Sequence, residues 1–326
     1  MQLPVSQLRL NPLTGRWVTV AVDRASRPGE LISRREPVEA DPDRQCPFCP
    51  GNEEATPPAL ETYGPSGTWL VRVVPNLFPA FEGHEPLRVQ NLGPVFTQAS
   101  ASGVHEVLVF SPDHGGSWAD LDDKQAGLAM AAIRDRMEDH AGRSTVRYTQ
   151  AIVNAGREAG ASLDHPHGQL LGLPFVPGEI AEEEGGFRRF GESCLLCTMA
   201  EAEVQAGHRV VIDDERVLVV SPYWSGAPYE MLVMPRSHEV HLRRTSPADV
   251  VAVGRAIRDS LVLLRSHVGE AAYDLVFHTA PHLHEGPFHW HVHIVPRLTS
   301  LAGFEQGTGV MINIVAPELA TRHLTG

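Results

Sequence analysis

Basic residues are in short supply: 27 Lys and Arg stand against 40 Asp and Glu, a formal net charge of −13. A protein that grips nucleic acid along its phosphates carries the opposite excess, so nucleic acid is not an expected partner. A small anionic ligand stays open, because its site needs only a few local donors. No run approaches eighteen consecutive apolar residues, so no membrane-spanning helix is expected. Residues Met1 to Trp17 lack a basic start followed by an apolar stretch. No secretory leader is therefore expected, and the default compartment is cytoplasmic. Cysteine is rare too, with four in 326 residues, and without an export signal structural disulfides are not expected.

What is present fits a globular protein: 42% hydrophobic and 21% charged residues, with length enough for two domains that each bury a core. The four cysteines form two identical pairs, Cys46-Pro-Phe-Cys49 and Cys194-Leu-Leu-Cys197. A two-residue gap suits either metal binding or redox exchange. Two pairs, one early in each half, favour metal.

The halves are copies. Glu106 to His114 matches Glu230 to His238, Ile133-Arg134-Asp135 recurs as Ile257-Arg258-Asp259, and His165-Pro-His167 recurs as His289-Trp-His291. The offset is the same each time: 238 − 114, 257 − 133 and 289 − 165 all equal 124. A duplicated supersecondary unit accounts for this. Each unit reads as a strand with Val107 and Val109, or Leu232 and Met234, followed by a helix and a second strand. In the second copy Ser246, Pro247 and Asp249 predict the helix start, and Val250, Val253, Ile257, Leu261 and Leu264 its buried face. Met130, Ile133 and Met137 mark the first helix. The next strands are Tyr148 to Asn154 and Tyr273 to His278. The fold class expected is α+β, two units of mainly antiparallel sheet with a packed helix. The glycine-rich, charged stretch Glu182–Gly191 is read as the boundary, giving halves 1–188 and 189–326.

Cys46, Cys49, His114 and His165 make a set of two thiolates and two imidazoles, which structural zinc prefers. Cys194, Cys197, His238 and His289 repeat it. In the second half a rival set competes: His278, His291 and His293 with an acid from Glu182 to Glu184. Histidines at alternating strand positions look to one face, so His289, His291 and His293 share a side in this reading. One to two zinc ions per chain are expected, and the second site admits another divalent metal.

His165-Pro166-His167-Gly168-Gln169 is the most specific motif. With Asn11-Pro-Leu-Thr-Gly15, the first cysteine pair, Val74-Pro-Asn76-Leu-Phe-Pro79, His114 and His291-Val-His293, it resembles the galactose-1-phosphate uridylyltransferases, nucleotidyl-transferring members of the histidine triad superfamily. The resemblance spans nearly the whole chain. It implies a histidine-triad-like fold for each unit and a covalent nucleotidyl intermediate on His167, with UMP passing between UDP-glucose and galactose 1-phosphate. Imidazole suits the task, being nucleophilic near neutral pH without a separate base. Its second N–H needs an acceptor, and a backbone carbonyl of the His-Pro-His turn is the expected one. Gln169 is expected to donate to a phosphate oxygen; an amide cannot act as an acid, which favours transfer over hydrolysis. The resemblance also places Arg24 and Arg27 near the phosphates, Asn76 near the nucleotide, and Asn154 and Ser162 in a phosphate-binding loop that Gly156 and Gly160 keep open. It implies nucleotide-sugar and sugar-phosphate partners and a possible homodimer.

Gly303-Phe-Glu305-Gln-Gly307-Thr-Gly309 and the second cysteine pair are similar to the ADP-glucose phosphorylase branch, which implies an alternative: adenylyl transfer with phosphate as acceptor. A non-enzymatic zinc-binding interaction module is a further alternative, though it leaves Gln169 and the arginines without a task.

Overall fold

The computed structural model of the chain describes residues 6–26, 46–191 and 193–326. Ten strands form one sheet in the order 210–213, 217–220, 231–235, 291–296, 273–278, 148–155, 167–173, 104–109, 71–75 and 61–63. Every pairing between them is antiparallel. The second half supplies the first five and the first half the last five. They meet where Ile152 pairs with Val276, and 276 − 152 is 124. A residue opposite its own repeat equivalent lies on a local two-fold axis, so the duplication is built into the sheet as symmetry.

Four longer helices follow in chain order: α1 (Asp123–Ala141), α2 (Gly178–Phe190), α3 (Leu195–Ala206) and α4 (Pro247–Val268). The start of α4 is the one the sequence predicts, with Pro247 in its first turn and the Ser246 hydroxyl accepting the Asp249 N–H. Asp122 and Gln125 cap α1 reciprocally. Both helices lie on one face of the sheet and bury the anticipated residues: Met130, Ile133 and Met137 from α1, and Val250, Val253, Ile257, Leu261 and Leu264 from α4. Each such side chain contributes about 1.5–3 kcal/mol when fully buried. The helices cross on the same axis, where Gly127 faces Val251 and Gly254 faces Met130. Both pairs are separated by 124, so symmetry sets each position against its own copy. Two bulky residues would collide there, and a glycine in alternate copies prevents it. A Cβ on Gly254 would stand 2.5 Å from the Ala126 carbonyl oxygen.

The constant offset breaks on the first strand of the unit. Val107 pairs with Gln169, but Leu232, not Met231, pairs with His293. That strand is displaced by 125, and a one-residue slip reverses the side a residue faces. Glu106 and Glu230, aligned in sequence, therefore point to opposite faces, and the spatial counterpart of Glu230 is His105. Glu106 lies under α1, where Arg136 donates to it at 2.7 and 2.9 Å.

The stretch Glu182–Gly191, read as the boundary, is helical for most of its length, and the division at 188/189 falls inside α2. This helix belongs with the second half: Phe187 packs on Phe288 at 4.7 Å, and a Cβ on Gly186 would overlap the Leu13 carbonyl. Together with α3 and a small sheet of Gln7–Leu10, Trp17–Val20 and Met311–Asn313, α2 covers the second half's other face. On the corresponding face of the first half His105, Ile152, Asn154, Gln169 and Leu171 are half-buried. Among the described residues, no helix is long and apolar enough to cross a membrane.

Candidate active site and metal centres

Among the described residues, three clusters of ligand-type side chains stand on or beside the face opposite α1 and α4, each with its ligand atoms within 4.8 Å of one another. The first holds Cys46, Cys49, His114 and His165. The cysteine pair forms a turn, Cys49 N–H to Cys46 O at 3.3 Å, and Phe48 between them anchors it on Val74, Val107 and Val109. Cys49 Sγ lies 3.4 Å from His114 Nδ1 and 3.6 Å from His165 Nδ1, and Cys46 Sγ lies 3.8 Å from the latter. A tetrahedral ion with Zn–S near 2.3 Å and Zn–N near 2.0 Å sets sulfur and nitrogen about 3.5 Å apart, so the spacing fits. His165 donates from Nε2 to Ser111 O at 2.8 Å, which leaves the Nδ1 lone pair facing the cluster. Burial pushes the His165 pKa down to about 4, so the ring is neutral, as a ligand must be.

The second cluster repeats this arrangement. Cys194 caps the start of α3, and Cys194 and Cys197 stand 3.7 and 3.4 Å from His289 Nδ1. His289 donates from Nε2 to Pro235 O at 3.0 Å, again 124 residues from the Ser111 contact.

The third cluster is Glu183, His278, His291 and His293. The sequence set it against the cysteine site as a competitor, yet both clusters form: His289 precedes the strand 291–296 and stands against the cysteines, while His291 and His293 gather with His278 and Glu183. Glu183, 2% exposed, reaches in from α2 and accepts from His278 Nδ1 at 2.8 Å. Burial pushes its pKa up, but the charges of His278 and His291 outweigh that and hold it low. Glu183 Oε2, His291 Nε2 and His293 Nε2 are buried with no hydrogen-bond partner among the described residues. Orphaned acceptors and ring nitrogens converging on one point are what a bound cation satisfies.

Subtracting 124 from His278, His291 and His293 gives Asn154, His167 and Gln169. The first copy thus carries the candidate catalytic residues where the second carries a ligand cluster. His167 is 8% exposed. It donates from Nδ1 to His165 O at 2.7 Å, the backbone acceptor the motif predicts, and Phe48 packs on its ring at 5.3 Å. Burial pushes its pKa down, so Nε2 carries an unshared pair at neutral pH. Asn154 lies beside His167 on the neighbouring strand, two residues on from the Ile152–Gln169 pair. The following loop turns at Gly156 and Gly160 with φ of 89° and 86°, a region glycine enters without steric cost, and Ser162 is exposed beyond it. Asn76 lies across the strands, its Nδ2 3.1 Å from His105 Nε2.

The arginines are placed differently. Arg24 lines a separate cleft with Val295, Arg297 and Glu305. Asn154 pairs with Asp274 and Asp274 with Val295, so that cleft lies three strands from His167, about 14 Å at ~4.8 Å per strand. Arg27 falls outside the described residues.

The profile of the galactose-1-phosphate uridyl transferase N-terminal domain matches residues 2–177, more than half of the chain. The chain belongs to the galactose-1-phosphate uridylyltransferase family. A second profile, a domain of unknown function, matches residues 120–325. An ADP-glucose phosphorylase of Arabidopsis thaliana is 31% identical over 321 residues, 96% of this chain and 90% of its own. A galactose-1-phosphate uridylyltransferase of Thermotoga maritima is 31% identical over 337 residues, covering 98% and 97%. Among solved structures, that of an ADP-glucose phosphorylase from Arabidopsis thaliana with bound ADP-glucose superposes with a TM-score of 0.83 at 28% identity, covering 98% of each chain.

In this uridylyltransferase-family chain, sequence reasoning passed over two groups that touch the candidate centres. His105 contacts Gln169 at 2.8 Å, and Glu230 contacts His293 at 3.3 Å. Each stands across its strand pair from the residue it touches. The repeat carried the signal, but the 124 offset aligned Glu230 with Glu106 and hid the correspondence with His105.

Proposed function

We propose that the protein is a nucleotidyltransferase that moves UMP between UDP-glucose and galactose 1-phosphate through a uridylyl-His167 intermediate. The observation that carries this is the His167 Nδ1–His165 O hydrogen bond of 2.7 Å. It fixes the ring proton on Nδ1 and leaves the Nε2 pair unshared. In the first half-reaction Nε2 attacks the α-phosphorus, a P–N bond forms, and the P–O bond to glucose 1-phosphate breaks. In the second, a phosphate oxygen of galactose 1-phosphate attacks that phosphorus and the P–N bond breaks, restoring neutral His167. Gln169 donates to a non-bridging oxygen as charge builds. Asn76, Asn154 and Ser162 hold the nucleotide and its phosphates. Arg24 and Arg27 belong to phosphate binding in this reading, and the 14 Å gap at Arg24 requires a long substrate, a closure or a second subunit to bridge it.

Zinc at the two cysteine-histidine centres, held by Cys46, Cys49, His114 and His165 and by Cys194, Cys197, His238 and His289, would supply cross-linking of turns to strands, with no part in the bond changes. Glu183, His278, His291 and His293 suit a further divalent transition metal. The two repeat units share one sheet, with α2 taken as part of the second, and we place catalysis in the first. A homodimer is the assembly proposed. Residues 82–100 are exposed throughout and include Val95 and Phe96, 78% and 65% exposed, which a second copy would cover. The compartment proposed is the cytoplasm.

One observation favours a second reading, ADP-glucose phosphorolysis by the same histidine chemistry: the fit to a relative solved with ADP-glucose bound. Exposing the protein separately to UDP-glucose and ADP-glucose, then measuring its intact mass, separates the two. A uridylyl adduct on His167 supports the first reading, and an adenylyl adduct from ADP-glucose alone replaces it with the second.

A further inference from the structure

The His105 ring sits between a backbone N–H and the side-chain amide of Gln169. The Ala80 N–H points at its Nδ1 from 3.0 Å. A backbone N–H can only donate, so Nδ1 accepts and the ring proton lies on Nε2. Nε2 in turn stands 2.8 Å from the side-chain oxygen of Gln169. A donor there admits only the carbonyl end of the amide, so the Gln169 NH2 is turned away from the ring.

Asn76 completes the arrangement. Its Oδ1 accepts the Phe78 N–H at 2.8 Å, which commits its amide orientation as well. Its Nδ2 then faces the protonated Nε2 from 3.1 Å and gains no acceptor there. Two amide NH2 groups are thereby left to donate, that of Gln169 two residues from His167 and that of Asn76 across the strand pair at His105. Both orientations follow from two backbone N–H groups and one imidazole.

The second copy makes the same contact with different chemistry. Glu230 is the spatial counterpart of His105, and His293 that of Gln169. The Glu230 carboxylate receives the Gly226 and Ala227 N–H groups at 2.6 and 3.2 Å and meets His293 Nδ1 at 3.3 Å. An acceptor there fixes a ring proton, just as a donor at 105 fixes an amide.

We propose that His105 is a positioning residue for nucleotidyl transfer, holding the Gln169 amide so that its NH2, with that of Asn76, donates to the transferred phosphoryl group. This rests on the assignment of Gln169 to transition-state donation. The test is a double-mutant cycle on the full-length protein, reading the single-turnover rate of His167 nucleotidylation from UDP-glucose and ADP-glucose, with KM alongside. His105→Leu removes the donor and frees the amide to turn; the rate should fall about tenfold, as loss of one positioning hydrogen bond implies, with KM little changed. His105→Gln, which returns an N–H near the Nε2 position, should recover most of that loss. In a Gln169→Ala background, His105→Leu should have no further effect. An unchanged rate in His105→Leu, or an undiminished tenfold loss in the Gln169→Ala background, overturns the proposal, the latter by showing that His105 acts without Gln169. Wild-type turnover by Gln169→Ala alone would instead sink the assignment of Gln169.

Discussion

Gly168 separates the candidate nucleophile from Gln169, and the packing shows what it is for. A Cβ at this position would point to the helical side of the sheet. It would stand 2.6 Å from Phe110 Cζ, 2.8 Å from Ile152 O and 3.1 Å from Phe110 Cε2. Ordinary contact begins near 3.4 Å, so the ring must retreat by 3.4 − 2.6 = 0.8 Å and the backbone by 3.4 − 2.8 = 0.6 Å. Phe110 has no room to retreat, being 1% exposed and packed edge-on against Trp118 at 4.9 Å. In Gly168→Ala the strand 167–173 must therefore lift off its neighbour by several tenths of an ångström, carrying His167 and Gln169 with it. Overpacking of this kind costs about 1–3 kcal/mol, and displacing a reacting group by close to 1 Å costs on the order of 10²-fold in rate. Thermal unfolding should show a midpoint lowered by several degrees, and rapid-quench measurement of His167 nucleotidylation a loss of about 10²-fold. Pairing it with Phe110→Leu should recover part of the stability, but little of the rate, because the Ile152 carbonyl contact remains. A Gly168→Ala protein with unchanged midpoint and rate would refute the reasoning.

Other outcomes follow from the same contacts. Arg136→Met strands the Glu106 carboxylate, whose pKa burial pushes up but the Arg136 hydrogen bonds and the nearby His140 hold at about 2. The expected cost is about 3–5 kcal/mol by chemical denaturation, largely relieved when Glu106→Leu is added; equal loss in single and double variants would count against it. His282 is buried, and burial, with Arg243, His140 and His241 adding to it, pushes its pKa down to about 4. Its contribution to stability is complete above the ordinary value near 6.5 and is lost as pH falls through about 4. The stability gap between the wild type and His282→Asn should accordingly shrink across that window, and a constant gap would contradict the assignment. Elemental analysis should find metal at the cysteine-histidine centres, and Cys46→Ser should lower the zinc content and the unfolding midpoint together; undiminished zinc would remove Cys46 as a ligand.

Much of this was legible in the sequence, because the chemistry came in repeated spacings. The 124-residue offset announced two units, and the Cys-x-x-Cys pairs with His114, His165, His238 and His289 announced two clusters, which the chain brings together. The Ser246–Pro247 helix start and the apolar stripe of α4 were readable for ordinary reasons of capping and periodicity. What stayed hidden was long-range geometry. The stretch holding Gly185 and Gly186 read as a boundary between halves, but it is helical and Gly186 lets α2 press against Leu13; local composition does not distinguish a glycine at a boundary from a closely packed one. The slip between strands 104–109 and 231–235 is a single residue, invisible to an offset fixed by its flanks, and it concealed the partnership of His105 with Gln169. Arg24 was assigned by resemblance alone, and the fold places it across the sheet from His167.

The most direct test is the intact mass of the protein after brief exposure to UDP-glucose without an acceptor, followed by peptide mapping. The account expects one uridylyl group per active chain, mapped to the peptide carrying His167, labile to acid as a phosphoramidate is, and discharged by galactose 1-phosphate. His167→Gly should bind metal and fold as the wild type does, yet take up no adduct. An adduct that persists in His167→Gly, or turnover by that variant at the wild-type rate, would contradict the central claim.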